Sequence, residues 1–198
     1  ASHNVLPLLS PRGEVLEPVE RPAQFAYYAR EGMARVISRS QHAVRATHTG
    51  WLRHGVRHYA REVSLEEQRC RVVDRLVTSR EVTICIHWLL EDLGWSMAST
   101  GAGDGERDDR VALAKITQDG AHTPLHLSLI ASEGGGGILR RDVKIIRGLS
   151  PQDPPTSFAS PRVAGWFSPS YGIKRCATSV MLVCDLSPGA FEFSTEFV

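Results

Sequence analysis

Eight histidines make metal chemistry the first possibility to weigh in this chain. His54 and His58 stand at the i, i+4 interval of a helical zinc pair, but the Glu of His-Glu-x-x-His is missing between them. Gly55 precedes a strand-like stretch, Val56 to Leu65. On a strand the two histidines would lie roughly 13 Å apart at about 3.3 Å per residue. Bonds of about 2.0–2.1 Å to a single zinc cannot bridge that gap. His122 and His126 repeat the interval around Pro124 and fail in the same way, and His42 and His48 have no acidic partner at ligand spacing. His87 reads as a hydrogen-bonded sheet histidine.

Arginine offers different chemistry. Arg53, Arg57 and Arg61 surround Tyr59, and Arg57, Tyr59 and Arg61 would project from one strand face. Guanidinium forks match carboxylates, so an acidic sugar could lie there; an ordinary sheet face paired with Glu31 or Glu62 is the plainer reading. Paired-carboxylate hydrolysis would need two of Glu62, Glu66, Asp74, Glu91 and Asp92 to converge, and surface charge is the default for all five. There is no Gly-x-Ser-x-Gly elbow for a serine nucleophile. The glycines at 134 to 137 lack the Gly-Lys-Ser/Thr of a phosphate cradle, and those at 101, 103 and 105 lack a surrounding βα unit.

The elements that must carry these residues are strands. Phe191 to Phe197 alternates large apolar and polar side chains with period two. Val82, Ile84, Ile86 and Trp88 share one face of another candidate strand, with Thr83, Cys85 and His87 opposite. Leu125, Leu127 and Leu129 repeat the pattern, as do Val180, Leu182, Cys184 and Leu186. Helix signals are thin: Ala26 to Val36 is interrupted by Gly32 and reads as a short strand or irregular turn. Residues 100 to 109 read as a mobile loop, 134 to 137 as a glycine link, and 150 to 156 as extended, proline-set loop. Many short strands without βαβ alternation predict an all-β fold, a two-layer antiparallel β-sandwich, as one domain over 1–198.

Composition narrows the partners. Lys and Arg number 23 against 22 Asp and Glu, which argues against a nucleic-acid or membrane-surface protein held by a basic field. No run approaches the ~18 apolar residues of a bilayer span. The opening Ala1 to Pro7 lacks a signal peptide's segments, and the missing initiator Met points to processing or fragmentation there. The four cysteines form no Cys-x-x-Cys pair, so a four-Cys zinc site is not expected; Cys85 and Cys184 read as buried free thiols.

Four blocks suggest a relative. Gly165 to Lys174, reading Gly-Trp-Phe-Ser-Pro-Ser-Tyr-Gly-Ile-Lys, resembles the Trp-x-Ser-Pro-x-Tyr-Gly-Glu signature of heparinase II/III-type polysaccharide lyases, with Ile173-Lys174 where Glu is common. Thr47 to Val63 resembles that family's His-Asp-Gly-Tyr-x-Arg-Leu-Gly-Val-x-His-x-Arg-x-Val run, with Thr49 and Trp51 replacing Asp and Tyr. Arg71 to Leu76 and Ile86 to Leu90 are similar to its next two segments, so the blocks follow family order from residue 2 to about 190.

The resemblance implies the C-terminal β-sheet domain of a lyase that cleaves uronic-acid polysaccharides, glycosaminoglycan or alginate, by β-elimination. It further implies a periplasmic or extracellular carbon-oxygen lyase with an N-terminal α/α-toroid domain in the same protein. The catalytic base and most metal ligands would lie on that toroid and upstream, leaving this chain alone inactive. Ser2-His3-Asn4-Val5 resembles the family's His-Asn-Thr-Val stretch, which makes His3 a candidate ligand for a divalent metal, zinc, completed by residues outside the chain. An acidic polysaccharide is the implied partner. A non-catalytic carbohydrate-binding or structural β-sandwich module is the alternative.

Overall fold

The computed structural model describes residues 7–13, 16, 34–91, 95–99, 110–118, 126–148, 166–167 and 175–198. In chain order the first strands are β1 (Leu8–Leu9), β2 (Ala34–Arg39), β3 (Ala43–His48), β4 (Val56–Glu66), β5 (Arg69–Thr78) and β6 (Val82–Leu90). Next come β7 (Trp95–Ser99), β8 (Arg110–Gln118), β9 (His126–Gly134) and β10 (Ile138–Arg147). The last are β11 (Trp166–Phe167), β12 (Arg175–Cys176), β13 (Thr178–Leu186) and β14 (Gly189–Phe197). The only helical element among the described residues is a 3-10 turn, Leu52–His54.

Eight strands form one sheet in the order β2-β3-β4-β5-β14-β9-β8-β7, and four form another, β1-β6-β13-β10; β11 and β12 make a ribbon. Every ladder between these strands is antiparallel. The fold is the all-β, two-layer sandwich that the alternation predicts. Ile84, Ile86 and Trp88 of β6 and Val180, Leu182, Cys184 and Leu186 of β13 face inward as one row. They meet Tyr59, Val72, Leu76, Phe191 and Phe193 from the larger sheet. Trp88 and Phe197 touch edge to face across the layers, their rings 5.1 Å apart. Each such side chain taken out of water contributes about 1.5–3 kcal/mol before the entropy of ordering is subtracted.

Two of the places where the chain changes layer, β5 to β6 and β13 to β14, are neighbouring corners. Thr78 ties them together: its hydroxyl donates to Ser187 O at 2.9 Å and accepts from Gly189 N–H at 3.2 Å. Glycine is needed here for space. A Cβ on Gly189 (φ +153°) would lie 2.4 Å from Gly136 Cα, and one on Gly136 would lie 2.5 Å from the Phe191 ring. Gly136 is therefore a packing contact, whereas the sequence suggested a bare link across 134 to 137.

Ala26 to Gly32, Leu125 and the predicted loops at 100–109 and 150–156 lie outside the described residues. So does most of the Gly165 to Lys174 signature, whose Trp166 and Phe167 form β11.

Candidate functional site

The block from Thr47 to Val63 folds into one corner of the sandwich. β3 ends at His48, the chain turns through Trp51 and the 3-10 turn, and Gly55 starts β4 from a left-handed conformation at φ +89°. Gly55 N–H donates to Leu52 O at 3.1 Å. The His48 ring stands against Trp51 (4.5 Å) and Tyr59 (4.7 Å), and its Nδ1 accepts from Gly50 N–H at 3.2 Å. That bond assigns the proton to Nε2 in the neutral ring. Burial, and then the charge of Arg61, lowers the His48 pKa.

Behind this aromatic group lies a buried charge network. Arg61 grips Asp74 with two bonds, Nε to Oδ1 at 2.7 Å and Nη2 to Oδ2 at 2.8 Å, while the Tyr59 hydroxyl donates to Oδ1 at 2.6 Å. Asp74 is 1% exposed. The guanidinium also sits 5.6 Å from the Trp88 ring centre, which joins this network to the opposite sheet. Burial, reinforced by the Asp74 charge, pushes the Tyr59 hydroxyl well above the ordinary tyrosine range. Burial works against the Arg61 charge, but hydrogen bonding and attraction from Asp74 more than offset it. Tyr59 is thus a locked donor and is unsuited to abstract a proton.

The strand register revises several sequence expectations. A bulge between Val56 and His58 breaks the alternation, so Arg57 is exposed while Tyr59 is buried. The expected strip of Arg57, Tyr59 and Arg61 on one face therefore does not form. Arg61 pairs with Asp74, and Glu62 pairs with Arg75 at 3.0 Å, which in turn reaches Glu192 at 2.7 Å. Glu31 lies outside the described residues. Asp74, assigned to the surface by default, is instead the buried anchor. His54 belongs to the 3-10 turn and not to the strand that bears His58. His87 is a hydrogen-bonded sheet histidine as expected, with Nε2 2.9 Å from Ser179 Oγ. His3 and His122 lie outside the described residues, and no group of three metal-donor side chains occurs among the described ones.

A cleft of about 1270 Å³ opens on the far face of the four-stranded sheet. Its floor holds Cys85 and His87 of β6, Met181 and Val183 of β13, and Asp142 and Lys144 of β10. The segment around β1 forms one wall, and His54, Arg80 and Glu81 form another. Asp185 accepts from Thr83 Oγ1 at 2.7 Å and from Arg140 Nε at 2.7 Å. These bonds and the Arg140 charge outweigh burial and lower its pKa. Lys144 pairs with Asp142 at 3.2 Å.

Arg80 is held differently. Its Nε donates to His54 O at 3.1 Å and its Nη2 to Arg53 O at 2.9 Å, so backbone carbonyls fix it and no described carboxylate neutralises it. A Cβ on Gly55 would lie 2.5 Å from Arg80 Cγ, so the glycine makes the seat for this side chain. Sequence reasoning missed Arg80, Arg140 and Lys144. Neither the lone arginine of the β5–β6 turn nor the irregular Ile138–Arg147 segment announces a cleft. The one available signal was Gly55, whose need for space appears only once Arg80 is placed beside it.

No family model matches the sequence, and no curated protein matches it. Among solved structures, the chain is similar to a heparinase III with methylated lysines, at 12% identity and TM-score 0.48, over 83% of this chain and 21% of that one. It is similar to the heparan sulfate lyase HepC from Pedobacter heparinus at 14% identity and TM-score 0.44, again over 83% and 21%. The chain thus spans about a fifth of the length of the solved proteins it resembles.

Proposed function

We propose that this chain is the C-terminal β-sandwich domain, one unit over its whole length, of an exported heparinase II/III-like polysaccharide lyase. The parent protein acts on uronic-acid polymers by β-elimination, and the chain alone does not turn over. Support comes first from one observation. The block whose residue order resembles the family folds as a single corner, with Arg61 and Tyr59 clamped on Asp74 in its interior and His54 on a wall of the cleft.

In β-elimination a base removes the proton beside a carboxylate, and polar groups hold the charge that develops. Tyr59 is spent on Asp74 and burial keeps its proton in place, so this corner serves as scaffold. A base on an N-terminal α/α-toroid would supply the chemistry. His3 is the one candidate ligand this chain offers for a divalent metal, zinc, whose site would be completed by residues outside the chain.

The test is turnover. The purified chain, given heparan sulfate and alginate, should produce no ultraviolet absorbance from unsaturated uronate ends. The parent protein carrying a helical upstream domain should produce it. Turnover by the isolated chain, or a native gene without an upstream helical region, overturns the reading. The cleft also favours a second reading, a glycan-binding sandwich without catalysis. Glycan binding combined with the absence of that upstream region would select it.

A further inference from the structure

The larger sheet is wider than the layer that covers it. It has eight strands against four in the other, and no residue of β2 or β3 enters the shared core. All six residues of β2 are exposed, with Val36 at 59% and Ile37 at 50%. β2 ends the sheet, so its outer backbone edge pairs with no described strand. Free N–H and C=O groups on such an edge recruit a further strand unless charge, proline or a covering loop blunts it. β2 does carry charge, but of one sign only. Residues 34–48 hold Arg35, Arg39 and Arg45 and no aspartate or glutamate. Arg45 lies opposite Glu62 in the β3–β4 register, whereas neither Arg35 nor Arg39 faces a carboxylate across the β2–β3 ladder.

A bulge between Val36 and Ser38 decides where those two arginines stand. Arg35 pairs with Thr47 and Arg39 with Val44, positions three apart on β3 and so on opposite faces of the sheet. Each face of the free edge therefore carries one guanidinium, with Val36 and Ile37 between them. We propose that β2 is a docking edge for an acidic, extended segment of a partner protein, which adds a strand to the larger sheet. Main-chain hydrogen bonds along β2 supply affinity, and side chains that alternate between the two faces supply selectivity. Carboxylates near both ends of the added strand meet Arg35 and Arg39, and apolar side chains between them cover Val36 and Ile37. A second copy of this chain is the wrong partner. Symmetric antiparallel pairing of two β2 strands sets Arg35 of one beside Arg39 of the other, and like charges placed so are destabilising. Single-stranded nucleic acid stacks on aromatic rings, and residues 34–48 contain no Phe, Tyr or Trp. The docking edge does not depend on the lyase reading.

The experiment is hydrogen exchange of the full chain, read by mass spectrometry, with the peptide Glu-Glu-Val-Thr-Val-Glu-Glu. At saturation, exchange across β2 should slow about tenfold or more, while β7 at the other edge of the sheet stays unchanged. The same peptide with its three central amides N-methylated keeps its charge but loses its ladder, and should give no protection. Arg35→Ala/Arg39→Ala, on exposed side chains outside the core, should weaken peptide affinity about tenfold or more. Arg12→Ala/Arg69→Ala removes equal exposed charge elsewhere and should change it less than about twofold. No slowing at β2, equal protection by the N-methylated peptide or by heparan sulfate oligosaccharides, or equal losses from the two arginine pairs overturns the docking edge. So does a concentration-dependent dimer that protects β2 without peptide.

Discussion

Asp74 shows how much one buried carboxylate can organise. It receives both prongs of Arg61 and the Tyr59 hydroxyl while almost fully shielded from water. Asp74→Ala leaves the Arg61 charge without its partner and should cost about 3–5 kcal/mol in urea unfolding. Tyr59→Phe removes one hydrogen bond and should cost about 1–3 kcal/mol. His48 adds a pH dependence with a definite sign. Its pKa is lowered in the fold, so the native state binds fewer protons than the unfolded chain. Stability should therefore fall as pH drops below about 6.5, the unfolded value. His48→Gln, which does not titrate, should flatten urea midpoints measured across that range. Cys85 and Cys184 are pushed up to about 12, chiefly by burial. Both thiols should label with disulfide reagents at neutral pH only as fast as the protein opens, a rate readable by mass spectrometry.

At the scale of elements, the tight corners belong to glycine. Gly189→Ala drives a Cβ into backbone and should cost at least roughly 2 kcal/mol. A Cβ on Gly137 meets nothing closer than 3.8 Å, so Gly137→Ala should be mild by the same thermal-melt measurement. Strand faces were legible beforehand where alternation is clean: Ile84, Ile86 and Trp88, Val180 to Leu186, and Phe191 with Phe193 all point where period two sends them. β10 was not legible, because Ile138–Arg147 places two arginines and then two isoleucines side by side. The bulge that frees Arg57 left no mark in the sequence either. The partner of Arg61 lies 13 positions away on another strand, and only the register brings it close.

For the whole molecule, the two layers should unfold together, since Trp88 bridges to both Phe197 and Arg61 of the other sheet. Leu182→Ala, at a fully buried site in the smaller sheet, should cost about 2–5 kcal/mol. Hydrogen exchange should slow or quicken in β5 and β14 along with β6 and β13. Independent exchange of the two sheets would contradict a shared core. The same long-range dependence explains why sequence alone could place faces but not the cleft, whose walls come from three distant segments.

The corner tied by Thr78 and Gly189 joins positions 111 residues apart. A nascent chain must hold β5 and β6 ready until β13 and β14 have emerged, which favours slow assembly. In return the span between these two pairs is an excursion that leaves and re-enters at one place. Because the entropy of closing such a span rises by only about 0.6 kcal/mol per doubling of its length, this architecture tolerates sequence added within the excursion far better than at the knot.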